Sequence, residues 1–478
     1  MILHLSFLQG NAGLSNLVQW AGYVGCIAGA SVVAEMMGAG PRGGLIAACF
    51  VATLPAAVLE ATSTQNDLVM SFWMICLLNG CLLLHRQITY RASGVAGAAL
   101  GLGLLSKTVV VLFAAPFLIG IAAMLLRRGF RFALPHLALI GLLAVTLNLG
   151  HFSRNYRTSQ SIFGPDPETR PGLHSMTNDV HTIGALMSNL LRNVSLHAAV
   201  NHRTTWAEHL VIRLHRLLGL DPDDPRTTKG IGHRYFINDD GEDGRPMPFH
   251  FLLILPALGW AAAQTRRAEA APALAACIVA GALLFCLVLK WQPYHARLHL
   301  PLFVLSAPLV ALLFQPPFGR VFLAPVFLLF TWAAWPGVFN YEVRPALGRH
   351  SVFRASHDEQ QYRTNLPLLP IYPPIVRLLL ENHVQEVGFI SDKNQWEYPI
   401  AAYGYFHGAW RTDDMLVRGC YASLETTRVP DALVCTRAGA GENLSVHGRA
   451  FRRVYTGMDP ATGQVLAALY LPVQVPSR

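Results

Sequence analysis

Apolar runs of membrane length, separated by short polar connections, organise most of the chain. They fall near residues 17–37, 44–60, 67–84, 93–106, 108–126 and 132–150, then near 249–263, 271–289, 298–314 and 320–336. Runs of this length predict membrane-spanning helices, some short or tilted. A 98-residue stretch, 151–248, separates the two groups, and a 142-residue tail, 337–478, completes the chain. Within the stretch, Ile183, Leu186, Met187, Leu190, Leu191 and Val194 form one helical stripe, continued by Trp206, Leu210, Val211 and Leu214. Such amphipathic helices lie in the membrane interface and roof a cavity. In the tail the pattern predicts helices at 373–381 and 398–405 and strands at 386–390 and 432–436. The expected architecture is an α-helical polytopic membrane protein of about ten spans. It divides into a first bundle of six spans (1–150), an external loop with interfacial helices (151–248), a second bundle of four spans (249–336) and a small external soluble α/β domain (337–478).

Composition agrees with this pattern. Of 478 residues, 53% are apolar or aromatic and only 14% are charged, with a mean hydropathy of +0.36. Soluble domains carry about a quarter charged residues, and disordered, collagen-like and coiled-coil chains are excluded. The net charge is +9, and residues 1–150 and 249–336 supply eight of the nine excess charges. That excess lies between apolar spans rather than on a soluble face, which removes nucleic acid as a partner.

Every second connection is basic: Arg42; Arg86 and Arg91; Arg127, Arg128 and Arg131; Arg266 and Arg267; Arg320. The positive-inside rule places these in the cytoplasm and Lys107, Lys290 and Arg297 on the opposite side. The long loop, the tail and residue 1 then lie outside. Residues 2–8 show neither a basic leader nor a small-residue cleavage site, so the topology expects one further helix upstream. A composition rich in Ala, Gly and Arg points to a bacterium with a GC-rich genome, hence to a multi-pass inner-membrane protein with a periplasmic loop and C-terminal domain. Six of eight cysteines fall within spans, and Cys420 and Cys435 in the exported tail are a candidate disulfide.

Ionisable groups at the lip of a span are functional candidates because they are costly there. Four clusters stand out on the external side. Residues 62–67 (TSTQND) come just after Glu60. Capping of a helix by Asp67 is one reading, and it leaves the polar density beside Glu60 unexplained. Lys107 is next to Ser106 in a tight hairpin, either as a snorkelling interfacial lysine or as a phosphate contact. Residues 290–301 (KWQPYHARLHLP) gather Lys290, His295 and Arg297 against the positive-inside bias, either as an interfacial belt or as a grip on phosphate by the Arg297 fork. Residues 238–245 (NDDGEDGR), with Glu242 and Asp243, read as a solvated turn or an acidic site, without the spacing of an EF-hand.

Residues 62–73 (TSTQNDLVMSFW), 105–107 (LSK), 151–165 (HFSRNYRTSQSIFGP) and 297–303 (RLHLPLF) together resemble the integral-membrane glycosyltransferases of the C-type fold. Within that fold they most resemble bacterial relatives of protein O-mannosyltransferases and lipid A sugar transferases. The resemblance covers roughly residues 1–340 and implies an enzyme that takes a sugar from a polyprenyl-phosphate donor and transfers it, with inversion, to an acceptor on the external face. It makes Asp67 the second acidic position of the active site, with Glu60 beside it. Lys107 and Arg297, with Lys290, become contacts of the donor phosphate. Arg154, Asn155, Tyr156, Glu242, Asp243 and His295 become acceptor or loop contacts. Some family members use a divalent metal at the carboxylates and others do not, so a metal stays open. The family's principal Asp lies in the first external loop, and residues 2–20 resemble the segment immediately C-terminal to that loop. The chain is therefore expected to begin beyond its own catalytic base, with Glu60, Glu242 or Asp243 as substitutes. Two other readings compete: a catalytically inactive membrane scaffold, favoured by the missing Asp, and a lipid transporter or flippase, for which inverted repeats are absent. The expected partners are the lipid bilayer, the polyprenyl-phosphate-linked sugar and an unidentified protein, lipid or glycan acceptor.

Overall fold

The computed structural model describes residues 2–10, 13–164, 176–198, 205–229, 234–237, 241–264, 270–314, 319–339, 341, 343–391, 396–417, 422, 425–437 and 440–473. The helices α1 (Ile2–Gln9), α2 (Leu17–Met36), α3 (Gly40–Ala52), α4 (Pro55–Glu60), α5 (Asp67–Arg86), α6 (Tyr90–Ser106), α7 (Val110–Leu126) and α8 (Phe130–Ser159) come first. The loop carries α9 (Ile183–Ser195) and α10 (Thr205–Leu217). The second group is α11 (Gly241–Gly244), α12 (Pro248–Ala263), α13 (Ala270–Val288), α14 (His295–Leu298), α15 (Leu300–Leu313) and α16 (Gly319–Phe339).

Among the described residues, five segments are long and apolar enough to cross a membrane: α2, α5, α8, the stretch Gly241–Ala263 that holds α11 and α12, and α13. Shorter apolar helices accompany them at α3, α7, α15 and Ala324–Pro336. The chain is a polytopic helical membrane protein. Two of the expected runs differ in shape. The run at 44–60 is broken, because Pro55 disfavours helical backbone at Leu54, which sits at φ −60°, ψ 113°. The new start makes α4 a separate short helix that ends at Glu60. Helix α8 runs on to Ser159 instead of stopping at 150, since neither Pro nor Gly interrupts residues 151–159.

The chain forms two compact units. The first is Met1–Leu3, Leu14–Arg154 and His174–Tyr341. Its core is built on α2, α3, α5, α6 and α15, with buried Phe50, Leu54, Leu68, Met70, Met74, Val304 and Val310. Small residues let the helices approach closely. A Cβ at Gly22 of α2 would lie 2.8 Å from the Val69 nitrogen of α5, so only glycine permits that backbone contact.

Within this unit α9 packs on α13 with its polar face inward. Ser188, Asn189, Arg192 and Asn193 are buried, whereas Ile183 is 82% exposed and Met187 and Val194 face outward. Arg192 donates to Pro222 O (2.7 Å), Asn189 Oδ1 (2.7 Å), Thr227 Oγ1 (2.9 Å) and Thr228 Oγ1, and lies 5.9 Å from the Trp291 ring. Arg192 thereby ties α9 to residues 222–228 of the same loop and to Trp291, between α13 and α14.

The second unit is His4–Gly13, Asn155–Leu173 and Glu342–Arg478. It contains α17 (His357–Gln361), α18 (Tyr372–Glu381), α19 (Tyr398–His407) and strands β1 (Glu386–Ile390), β2 (Arg411–Asp414), β3 (Ala432–Cys435), β4 (Asn443–Val446), β5 (Arg449–Met458) and β6 (Val465–Pro472). The sheet order is β2-β1-β3-β6-β5-β4, with β1 parallel to β2 and β3 and the remaining pairs antiparallel. One core joins Tyr372, Ile375, Leu379 and Ile400 of α18 and α19 to Val387, Phe389 and Val434, and a second joins Leu433, Cys435, Phe451 and Tyr470. The four elements expected in the tail are present, and β2, β4, β5 and β6 extend them. Cys420 lies outside the described residues, as do Asn238, Asp239 and Asp240.

Candidate active site

Three short helices, α4, α11 and α14, pack against one another and carry Glu60, Glu242 with Asp243, and Arg297. Each begins or ends at a turn, so each places a charged side chain at the end of the bundle where α5 starts.

Glu60 closes α4 and is fully buried. Ser63 Oγ donates to its carbonyl at 2.9 Å and reaches its Oε2 at 3.5 Å, while Gln19 Nε2 donates to Oε2 at 3.0 Å. Its Oε1 is buried without a hydrogen-bond partner. Burial, then the charges of Asp67, Glu242 and Asp243, push the Glu60 carboxyl up to about 9, with Arg297 opposing them.

Asp67 opens α5, where the helix dipole favours a carboxylate, and is also fully buried. Lys107 Nζ lies 2.6 Å from its Oδ1, and Oδ2 has no partner. Asn66, in the N-cap position, makes no side-chain cap. Its amide instead donates to Ser106 O at 2.6 Å, stitching the start of α5 to the end of α6 beside Lys107. Arg297 Nη1 lies 2.7 Å from Asp243 Oδ1, which Gln65 Nε2 reaches at 3.4 Å. The buried Arg297 Nε has no partner. Glu60, Asp67, Lys107, Asp243 and Arg297 thus belong to one constellation, with Glu242 contributing charge to it.

The other predicted site residues are placed elsewhere. Lys290 pairs with Asp179 Oδ2 at 2.7 Å, and His295 Nδ1 lies 2.9 Å from Asn193 Oδ1, so both hold the loop segment around α9. Arg154, Asn155 and Tyr156 occupy the last turns of α8. There Arg154 and Tyr156 are exposed, and Asn155 Nδ2 donates to Ile162 O at 3.0 Å. Among the described residues, no group of three or more His, Cys, Asp or Glu side chains is placed to hold a metal ion.

Sequence reasoning missed Gln19 and Asn16. Asn16 Nδ2 donates to Thr62 O at 2.8 Å, and both residues tie the start of α2 to this centre. The signal was a long polar side chain in the first turn of an apolar span, facing inward.

Two buried carboxyls, Glu60 and Asp67, thus each keep one oxygen without a partner in a constellation that also holds Lys107 and Arg297. The sequence profile of the dolichyl-phosphate-mannose-protein mannosyltransferase family matches residues 19–151, a segment that holds Gln19, Glu60, Asp67 and Lys107. The resemblance to C-type, polyprenyl-phosphate-dependent glycosyltransferases therefore stands on this segment. No curated protein sequence matches the chain. Similar solved structures include ArnT from Cupriavidus metallidurans in the apo state (15% identity, 82% of this chain and 60% of that one, TM-score 0.42). The same protein bound to undecaprenyl phosphate matches with 15% identity, 82% and 61% coverage and a TM-score of 0.42. The archaeal oligosaccharyltransferase AglB from Archaeoglobus fulgidus, in complex with an inhibitory peptide and a dolichol-phosphate, matches with 13% identity, 89% and 59% coverage and a TM-score of 0.43. The chain spans about 60% of the length of these proteins.

Proposed function

We propose that this chain is a membrane glycosyltransferase that moves a sugar, with inversion, from a polyprenyl-phosphate donor to an acceptor on the external face of the inner membrane. One observation carries the reading. Two fully buried carboxyls at one lip of the bundle keep an oxygen each without a partner, beside Lys107 and Arg297. The family match over residues 19–151 supports it.

In this mechanism Lys107 and Arg297 hold the donor phosphate. An ammonium has three donors, so the bond to Asp67 leaves Lys107 two for phosphate oxygens, and the Arg297 fork offers its open Nε. Asp67 Oδ2 orients the acceptor hydroxyl. The acceptor oxygen attacks the anomeric carbon opposite the phosphate, and the bond from that carbon to the phosphate oxygen breaks. Its electron pair leaves on the polyprenyl phosphate, whose growing charge the two cations stabilise. The hydroxyl proton passes to Glu60 Oε1, which its raised pKa makes a strong base when ionised.

The test is release of polyprenyl phosphate from a polyprenyl-phosphate sugar by the purified chain in nanodiscs. Asp67→Asn, Glu60→Gln and Arg297→Ala are each expected to reduce release by about a hundredfold or more with folding intact. Transfer at the wild-type rate in Asp67→Asn and Arg297→Ala overturns the assignment.

A further inference from the structure

We infer that Gln19 is a positioning residue of this centre, fixing the Glu60 carboxyl and the first turn of α5 through one side-chain amide. The inference rests on the glycosyl-transfer reading above and adds a residue to it.

Gln19 lies in the first turn of α2 and is fully buried. A buried amide is costly unless bonded, and both of its polar atoms are. Nε2 donates to Glu60 Oε2 at 3.0 Å, and Oε1 accepts from the Val69 N–H at 3.4 Å. Val69 is the third residue of α5, so its N–H is one of the donors that a helix start leaves without an intrahelical partner. The N-cap residue Asn66 does not serve it. Gln19 therefore caps α5 from a different helix. A backbone N–H can only donate, so the amide must turn its oxygen to Val69 and its NH2 to Glu60.

The close α2–α5 contact permits this reach. Gly22, one turn beyond Gln19 on the same buried face, admits the Val69 backbone, and Cys26 Sγ donates to Leu68 O at 3.4 Å on the next turn. A donor on Oε2 favours the ionised form of Glu60. It acts there with Arg297 of α14 and against Asp67 of α5 and Glu242 and Asp243 of α11. Loss of the donor shifts Glu60 titration upward and releases the carboxyl from one orientation.

The experiment uses Gln19→Met, which keeps side-chain length, and Gln19→Glu, which keeps an oxygen for Val69 but turns a carboxyl toward Glu60. The full chain in nanodiscs is titrated by infrared spectroscopy, following the carboxylic-acid carbonyl band that Glu60→Gln removes. The midpoint is expected to rise by about one pH unit in Gln19→Met and further in Gln19→Glu. In the transfer assay the alkaline shift of the pH profile accompanies it, with kcat at neutral pH down about tenfold and KM for the donor nearly unchanged. Wild-type titration of the Glu60 band in both variants overturns the inference. A wild-type chain that transfers no sugar overturns the functional reading instead, and the infrared midpoint still decides the role of Gln19.

Discussion

Lys107 Nζ lies 2.6 Å from Asp67 Oδ1, and the two residues come from opposite ends of neighbouring helices: Asp67 opens α5 and Lys107 comes directly after α6. Asp67 is fully buried, and Lys107 is about a quarter exposed at its side chain, 24%. Removing one partner of such a pair strands a buried charge, which costs about 3 kcal/mol. Lys107→Met is expected to lower thermal stability by about that amount. The double variant Lys107→Met with Asp67→Asn should recover most of the stability and none of the transfer. Unfolding in detergent, read by intrinsic fluorescence, checks this. Additive losses in the double variant would show that the pair carries no coupling.

The Glu60 carboxyl predicts a pH dependence of defined sign. The folded protein holds this proton more tightly than the unfolded chain does, with the pKa raised from 4.5 to about 9. Its contribution to stability is therefore complete below about 4.5 and is lost as pH rises through about 9. Glu60→Gln cannot ionise, so its unfolding temperature should fall less than that of the wild type between neutral pH and pH 9 or above. The transfer rate runs the other way, rising with pH toward the same value as the base ionises. A wild-type rate that is flat across this window contradicts Glu60 as the proton acceptor.

Arg192 predicts where the long loop is most sensitive. It is fully buried and donates to Asn189, Pro222, Thr227 and Thr228. Burial lowers its pKa to about 10, and it stays charged at neutral pH. Arg192→Met fills similar space but leaves these acceptors unsatisfied, at a cost of about 3 kcal/mol or more. Limited proteolysis should then cut near residues 221–229 at concentrations that spare the wild type. An unchanged digestion pattern argues against the tie.

The outward apolar face of α9 predicts lipid contact. Ile183 is 82% exposed while Arg192, on the opposite face of the same helix, is buried, the reverse of a helix on a water-facing surface. A nitroxide at position 183 should be relaxed more by oxygen than by an aqueous nickel chelate, and one at Arg226 the opposite. Equal relaxation by the chelate at both positions would place the α9 face in water.

The membrane class and most helices were legible because long apolar runs have few alternatives: a backbone in lipid must satisfy its own hydrogen bonds. The positions of α2, α5, α7, α12, α13 and α15 agree with the runs to within a few residues. The break at Leu54 was present in the sequence as Pro55 but was outweighed there by the apolar run around it. In the tail the strands missed include β5 (RAFRRVYTGM), which lies between β6 and β4; its register shifts at Arg453/Tyr455 and Gly457/Met458, so no regular two-residue alternation marks it in the sequence.

Glu60, Asp67, Lys107 and Arg297 could be singled out from sequence because charge at the lip of a span is expensive. Their partners could not. Lys107 meeting Asp67, Arg297 meeting Asp243, Lys290 meeting Asp179 and Gln19 meeting Glu60 all join residues 40 or more positions apart. Local sequence carries the cost of a buried charge, residue by residue. Only helix packing, with Gly22 letting α2 touch α5, decides which opposite charge or amide offsets that cost.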